Sequence, residues 1–249
     1  TSAGSRPPEL GRGARRDARA PDAGGNRKAC CTALSDCLDY AAVDFLLFSP
    51  EAYWRLFELM NGAAWPAQPL VLAAFAALTI AALLRRPWAV WAAAVGLALA
   101  WAATAYLFLQ LRYQPINWAI AWVTPAFWVQ VGLLVLLGPG RGHSHRRSGI
   151  PHSLILLALA YPLVGMVAGR PVVQAEVVGL SPDPTAILTL GVLGLSASAW
   201  RARILMIIPM GWLLISAATL LTMGQSTGWV LLLSVALGVA AICLPRRSS

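Results

Sequence analysis

The chain has 249 residues, of which 58% are apolar and 12% are charged, and its mean hydropathy is +0.66. Soluble domains carry about a quarter charged residues, so this composition excludes an ordinary soluble enzyme and a disordered chain and predicts an integral membrane protein. The 19 Lys and Arg residues against 10 Asp and Glu residues give a net charge of +9, which raises the question of nucleic-acid binding.

The N-terminal segment, residues 1–42, is rich in Arg, Ala, Gly and Pro and lacks apolar periodicity. This composition indicates a disordered tail, or upstream sequence that has been translated, with an organised pattern beginning at Val43. Cys30, Cys31 and Cys37 lie in the tail without a histidine or a further cysteine nearby, so no metal site is predicted there.

Residues 43–68 predict a helix followed by a Trp-Pro turn. Ser49 is a suitable helix cap, and Pro50 suits the first helical position. One apolar face follows from the i, i+3, i+4 and i+7 spacing of Tyr53, Leu56, Phe57 and Met60. We interpret the segment as an amphipathic interfacial helix on the outer leaflet, with its aromatic side chains at the headgroup boundary. A plain pre-anchor that orients the first span is the alternative.

Residues 69–249 predict a transmembrane domain, because seven apolar runs without charged residues or histidines follow one another. The runs are Pro69–Leu84, Trp88–Leu111, Ile116–Leu137, Ser153–Ala168, Thr185–Trp200, Ile204–Met223 and Trp229–Leu244. Lipid requires backbone groups to be bonded internally, and spanning takes ~20 residues, so we predict an all-α bundle of about seven spans. Six spans are the alternative, with one of the shorter runs re-entrant.

The basic residues of this domain punctuate the runs. Eleven arginines lie between or after them, and nine of these fall in alternate loops and at the C-terminus. Cytoplasmic loops are enriched in Lys and Arg, so the pattern predicts an N-terminus outside and a C-terminus inside. The positive charge is therefore a topology signal, and the expected partner is the lipid bilayer rather than nucleic acid. A homo-oligomer or a membrane partner stays open.

Three stretches resemble an uncharacterised family of bacterial polytopic membrane proteins, a domain-of-unknown-function family. They are Phe48-Ser49-Pro50-Glu51 through Trp65-Pro66-Ala67-Gln68, then Tyr161-Pro162 with the 179–185 segment, and Ile208-Pro209 through Trp212. The family pattern has a cysteine where this chain has Asp183, so the resemblance implies no thiol chemistry at that position. Some members are labelled transporter permeases. The resemblance implies a multi-pass protein of the bacterial cytoplasmic membrane.

The strongest polar feature is a predicted outer loop between the fourth and fifth runs. It contains the candidate site residues Arg170, Gln174, Glu176 and Asp183. As a functional site, the loop would form an external mouth that binds a cation or a polar solute. In the structural alternative, which we favour, Asp183 or Ser181 caps the fifth helix, Pro184 lies in its first turn, and the acids are solvated.

Polar side chains within the runs are sparse, and three are candidates for the lining of a polar cavity: Gln110, Gln130 and Tyr161. An amide is costly in lipid unless it is paired. Pro125, Pro162 and Pro209 are expected to kink their helices. The inner loop contains His143, His145 and His152, which we interpret as part of a solvated basic loop.

The sequence contains no constellation of catalytic residues: no carboxylate or histidine lies inside a run, and no Gly-x-x-x-x-Gly-Lys, His-Glu-x-x-His or Gly-x-Ser-x-Gly motif occurs. We therefore predict neither an enzyme nor a cofactor or metal site. The favoured function is a structural or binding component of the membrane, and the alternative is a small-solute permease.

Overall fold

The structure, a computed structural model, describes residue 1 and residues 47–84, 86–138, 149–196 and 199–243. The predictions for residues 1–42 and for the loop with His143 and His145 lie outside these residues. Nine α-helices are found in the described ranges: α1 Pro50–Ala64, α2 Ala67–Leu83, α3 Pro87–Ala103, α4 Ile120–Leu137, α5 Ile150–Leu159, α6 Tyr161–Val167, α7 Pro182–Ser196, α8 Ala199–Thr222 and α9 Thr227–Cys243. The all-α prediction is confirmed.

Two less regular helical segments complete the described chain. The helix α3 continues with π-type hydrogen bonding over Thr104–Tyr113, and a short 3₁₀ turn, Val172–Gln174, lies between α6 and α7. The third apolar run becomes helical only at Ile120, because the chain turns after Tyr113 to make backbone bonds back to that residue.

Three helical stretches in the described ranges are long and apolar enough to cross a membrane: Trp91–Tyr113, Ile120–Leu137 and Trp200–Thr222. The number rises to five if two bent pairs, α1 with α2 and α5 with α6, each count as one span. The helices α7 and α9 are apolar but shorter. The prediction of seven spans is therefore not confirmed, although three to five helical stretches of suitable length and hydropathy are present.

Proline explains the break in the fourth run. Pro162 lies at the start of α6, and the helix direction changes by 66° between α5 and α6. Proline has no N–H to donate and disfavours helical geometry in the residue before it, so the helix ends at Leu159 and restarts. Pro125 and Pro209, in contrast, lie inside helices that stay continuous.

The helix α7 lies at the centre of the bundle. It packs against α3, α5, α8 and α9, and every side chain from residue 182 to residue 191 is buried. Outside it, α4 packs on α3 and α8, and an aromatic series joins these three helices, with ring centroids 4.6 Å apart for Trp101 and Phe127 and 5.1 Å apart for Phe127 and Trp212. A short apolar helix is thus enclosed by its neighbours.

The helix α1 begins as predicted. Ser49 Oγ accepts a hydrogen bond of 3.2 Å from the Ala52 N–H, and Pro50 is the first helical residue. Its apolar face, however, is buried in the protein, with Tyr53, Phe57 and Met60 no more than 3% exposed. Phe57 packs on Phe108 of the π-helical segment, with ring centroids 4.9 Å apart. The expectation that these aromatic side chains lie at the lipid headgroup boundary is therefore wrong, because the bundle itself offers an apolar surface.

The close approach of α5 and α7 makes Gly191 a test of this packing. A Cβ at Gly191 would lie 2.6 Å from Ile155 Cγ1 and 2.9 Å from the Pro151 carbonyl oxygen, whereas a Cβ at Gly211 of α8 would meet nothing within 4 Å. We expect Gly191→Ala to destabilise the protein by about 1–3 kcal/mol through overpacking. Gly211→Ala should be neutral or stabilising, because alanine favours a helix. Thermal unfolding of both variants in one detergent, followed by circular dichroism, measures the difference, and equal melting temperatures would contradict the packing.

Candidate functional site

A cap made of α1 and the loop 168–181 covers the N-terminal end of α7. Asn61 of α1 donates from Nδ2 to the carbonyl oxygens of Val173 and Ala175, at 2.8 and 2.9 Å. Its Oδ1 accepts a bond of 2.7 Å from Gln68 of α2. Gln174, a predicted site residue, donates to Glu58 Oε1 at 2.9 Å. The polar side of α1 therefore holds the loop in place through three hydrogen bonds, and the fourth joins α1 to α2.

The loop carries a buried ion pair. Arg170 Nη1 donates to Glu176 Oε1 at 2.7 Å, and the two side chains are 8% and 2% exposed. The guanidinium carbon also lies 4.2 Å from the centroid of the Trp54 ring, a cation–π contact that fixes Arg170 against α1. Residue 165 of α6 lies close to this guanidinium, since a Cβ at Gly165 would lie 2.9 Å from Arg170 Nη2.

The second carboxyl group, Asp183, lies in the first turn of α7 and faces α8. Trp212 Nε1 donates to Oδ1 at 2.7 Å, and Ser216 Oγ donates to Oδ2 at 2.8 Å. Trp212 and Ser216 are four residues apart on one helix, so both reach the same carboxyl group from one face. Asp183 is 1% exposed.

The favoured expectation of solvated acids capping the fifth helix is therefore wrong. Asp183 is bonded across to α8, and the Ser181 hydroxyl accepts from the Val177 N–H at 3.3 Å. Pro184 does lie in the first turn of α7, as predicted. The acids are buried because α1 covers the loop, and sequence periodicity did not reveal that contact.

The turn before α7 depends on Gly179, which has a φ of +82°. A residue with a side chain rarely adopts this left-handed conformation. Its N–H donates to Thr185 Oγ1 at 2.8 Å, and the Thr185 hydroxyl donates to the Ser181 carbonyl at 2.6 Å. These bonds tie the loop to the buried helix and fix the direction in which Glu176 enters the core.

Burial raises the pKa of Glu176 from 4.5 to about 7, and the negative charge of Asp183 adds to the effect. Arg170 opposes the increase through its charge and its hydrogen bond. A carboxyl group in this position is therefore protonated over a part of the pH range in which an exposed glutamate is ionised.

Three polar atoms of this region are buried without a hydrogen-bond partner: Glu176 Oε2, Arg170 Nε and the Tyr161 hydroxyl. Tyr161 is fully buried and interacts electrostatically with Glu176, Asp183 and Arg170. It lies one helical turn before Gly165, and the same face of α6 therefore presents both residues. We call Tyr161, Arg170, Glu176 and Asp183 the charged cluster.

The structure thus brings one of the three intramembrane candidates, Tyr161, together with the loop candidates. Gln110 lies half-buried in the π-helical segment, and Gln130 is fully buried on α4. No hydrogen bond among the described residues joins Gln110, Gln130 and Tyr161 to one another. The common polar cavity expected for these three residues therefore stays a prediction.

The role of Gln130 is local, and the spacing between Leu205 and Pro209 explains it. Its Nε2 donates to the Leu205 carbonyl of α8 at 3.0 Å. Pro209 lies four residues after Leu205 and has no N–H, so this carbonyl lacks its usual helical donor. The amide of Gln130 supplies that donor from the neighbouring helix.

A groove lies on the outer side of the cap, with a cavity volume of about 370 Å³. Its walls come from α1, α2, the start of α6 and the loop. The residues that line it are Glu58, Asn61, Gly62, Gln68, Pro69, Leu72, Pro162, Val172, Val173, Ala175 and Val177. The groove could not be predicted from the sequence, because the residues of its walls are up to 119 positions apart in the chain.

No group of three or more His, Cys, Asp or Glu side chains with the geometry of a metal site occurs in the described residues. The charged cluster combines two carboxyl groups, a guanidinium and a phenol beneath a loop. Such an arrangement can hold charge or a proton in a water-poor environment. The contacts of Trp54 and Ser216 with this cluster were not predicted from the sequence, and Trp212 lies in a motif of the family resemblance that predicted no partner for it.

The fold and the site define an all-α protein with several helices long and apolar enough to cross a membrane and a capped, charged centre. A family model described as a family of unknown function, DUF6064, matches residues 50–249, and the chain belongs to this family. The resemblance to a family of unknown function is therefore confirmed. No curated protein and no solved structure shows significant similarity to the chain.

Gly165 tests the position of Arg170. We expect Gly165→Ala to destabilise the protein by about 1–3 kcal/mol, because the new methyl group displaces the guanidinium from Glu176. Gly132→Ala is the matched control, since a Cβ at Gly132 of α4 meets nothing within 4 Å. Thermal unfolding measures both effects. Adding Glu176→Gln should cost less in the Gly165→Ala background than in the wild type, and additive losses would contradict the mechanism.

Variants of Gln130 and Pro209 test whether the Gln130 amide replaces the hydrogen bond that the Leu205 carbonyl lacks because of Pro209. Gln130→Leu leaves the Leu205 carbonyl without its donor and should cost about 1–3 kcal/mol. Pro209→Ala restores a backbone N–H within α8, so the same Gln130→Leu change should cost less in that background. A double-mutant cycle of denaturation free energies in detergent measures the coupling. A coupling energy of zero would show that Gln130 does not compensate for the proline.

Proposed function

We propose that the protein is a multi-pass binding component of the bacterial cytoplasmic membrane, and that the groove beside α1 takes a small amphipathic cation. The observation that carries the proposal is the groove itself, which is built by fixed hydrogen bonds rather than by loose packing. Asn61 anchors the loop wall at two carbonyl groups, Gln174 of the loop donates to Glu58, and Gln68 donates to the Asn61 side chain.

The chemistry of the lining determines the class of ligand. Small-molecule sites have volumes of about 300–1,000 Å³ and combine apolar walls with a few polar groups. The groove lies in this range, and its walls include Leu72, Pro69 and Val177. Glu58 is the only charged residue among its described lining residues. An apolar body with a positively charged end therefore complements the groove.

The pair between Glu58 and Arg55 is compatible with this role. Arg55 is 66% exposed, and an exposed ion pair contributes little stability. A cation that enters the groove competes with Arg55 for the carboxylate at small cost. Glu58 remains bonded to Gln174 on its other oxygen, so the loop keeps its position.

The same proposal includes seven spans with the N-terminus outside and the C-terminus inside. The helix α7 is enclosed by protein and does not need the length of a lipid-facing helix, and α9 packs along α7 and α8. Together with the three long helical stretches and the two bent pairs, α7 and α9 give seven crossings of the membrane. The alternating arginines support the orientation, which puts the cap and its groove on the outer side.

The angle of 87° between α1 and α2 supports an interfacial position for α1. If α2 crosses the membrane, α1 lies almost parallel to the membrane plane, with its apolar face on the bundle. Its polar side then faces the outer solution and the groove. A soluble amphiphile reaches the groove from that side without crossing the bilayer.

Pentyltrimethylammonium is a suitable probe, because it combines a permanent positive charge with a short apolar chain. In a Cys-free full-length background in nanodiscs, Leu72→Cys places a thiol in the groove. We expect the probe to slow alkylation of this thiol saturably, and pentanol at equal concentration to slow it much less. Val167→Cys, at a position 90% exposed and not among the lining residues, should show no protection.

Adding Glu58→Gln to the Leu72→Cys variant should abolish the preference for the cation over the alcohol. Equal protection at both cysteine positions, or none at either, would contradict the groove as a binding site. Probe uptake into proteoliposomes, above that of protein-free vesicles and sensitive to Glu58→Gln, would instead favour the alternative function of a small-solute permease.

A further inference from the structure

We propose that the charged cluster is an internal proton-binding site, in which one proton resides on Glu176. The proposal concerns the interior of the cap and needs no ligand in the groove. The first observation that supports it is the net charge of the cluster. Two carboxyl groups and one guanidinium lie together with almost no exposure to solvent. If both acids are ionised, the cluster carries one uncompensated negative charge.

The other described arginines are used elsewhere. Arg55 pairs with Glu58, Arg112 donates to the Leu107 carbonyl, and Arg201 donates to the Leu137 carbonyl. Arg86 and Arg203 are exposed. Burial of an unpaired charge is strongly unfavourable, and such a group takes up a proton instead.

The hydrogen bonds decide which acid takes the proton. Asp183 receives one donor on each oxygen, from Trp212 and Ser216, and both bonds stabilise its ionised form. Glu176 receives one donor on Oε1, from Arg170, and none on Oε2. The unpartnered oxygen is therefore the atom at which a proton is best accommodated.

A proton at Oε2 also changes what the neighbouring unpartnered atoms can bind. The protonated oxygen becomes a donor, and the Tyr161 hydroxyl can accept from it through a small adjustment or one bridging water. Oε1 continues to accept from Arg170, so the ion pair becomes a charged–neutral hydrogen bond. The proton comes from solvent and needs no other reactant.

The groups that face Glu176 come from four elements. The loop supplies Arg170, α7 supplies Asp183, and α6 supplies Tyr161. Tyr53 of α1 also interacts electrostatically with Glu176. Arg170 is the only cation in this set, and it opposes proton uptake, while burial and Asp183 favour it.

The loop links this proton to the surface of the cap. Ala175 and Val177 line the groove, whereas Glu176 between them enters the core. Loss of the proton leaves a buried negative charge that favours hydration and a looser loop. The raised pKa of Glu176 means that the folded protein binds more protons than the unfolded chain between pH 4.5 and about 7. Stability therefore falls as the pH rises through this window.

Infrared difference spectroscopy of the full-length protein in nanodiscs tests the site, because a protonated carboxyl group has a carbonyl stretching band distinct from that of a carboxylate. A pH jump across neutrality should remove one such band, and exchange into deuterium oxide should shift it. Glu176→Gln should abolish the band and the loss of melting temperature between pH 4.5 and 7. Glu51→Gln, at an exposed acid on α1, should leave both unchanged.

Asp183→Asn separates the two acids. Removing the neighbouring negative charge should keep the band and shift its titration to lower pH. Loss of the band in Asp183→Asn but not in Glu176→Gln would overturn the assignment. A band that responds to sodium ions at constant pH, and not to pH, would overturn the proton as the bound species. If Glu176→Gln fails to fold, the titration of the band in the wild type and its shift in Asp183→Asn still decide whether Glu176 binds the proton.

Discussion

The burial of charge at the N-terminal end of α7 is the constraint on which the rest of the cap depends. Arg170, Glu176 and Asp183 are removed from water by α1 and its loop, and removal of one partner from a buried pair typically costs about 3–5 kcal/mol. Each surrounding element therefore supplies a specific compensating contact. Trp54 covers the guanidinium, and α8 presents two donors to Asp183. The small residue at position 165 leaves room for Arg170. The cap and the centre of the bundle are consequently one energetic unit.

The same constraint explains why α1 is not a lipid-facing helix. Its apolar face excludes water from Arg170 and Glu176, and its polar face binds the loop through Asn61 and Glu58. An amphipathic helix in the headgroup region buries only its apolar face. Here both faces have protein partners, because the loop 168–181 crosses beside the helix and offers carbonyl groups without helical donors. The amphipathic pattern is the same in both environments, and the identity of the apolar partner is decided by tertiary structure.

Much of the helical framework could be predicted from sequence, while the candidate site could be predicted only as a list of residues. Uncharged apolar runs locate α2, α3 with its π-helical continuation, α4 and α9 within a few residues, and Ser49-Pro50 fixes the start of α1. Burial of Glu176 and Asp183 could not be predicted, because an acid in a loop or between two prolines at a helix start is usually solvated. Their partners are also remote: Trp212 is 29 positions from Asp183, and Glu58 is 116 positions from Gln174. One part was accessible in principle, since an internal Pro209 requires a donor for Leu205, and Gln130 was one of few amides available.

Pro209 connects the hydrogen bond between Gln130 and the Leu205 carbonyl to the charged cluster. Trp212 and Ser216 follow the proline within two helical turns, so the segment that bonds Asp183 begins where the backbone of α8 has lost a hydrogen bond. Proline interrupts the regular ladder and permits a change of helix direction, and Gln130 fixes that local geometry from α4. Phe127, one turn before Gln130 on the same helix, packs edge-on against Trp212. The helix α4 therefore positions α8 through a hydrogen bond to its backbone and an aromatic contact to the indole that donates to Asp183. A polar residue inside the bundle thus supports the charge at its end through the position of α8.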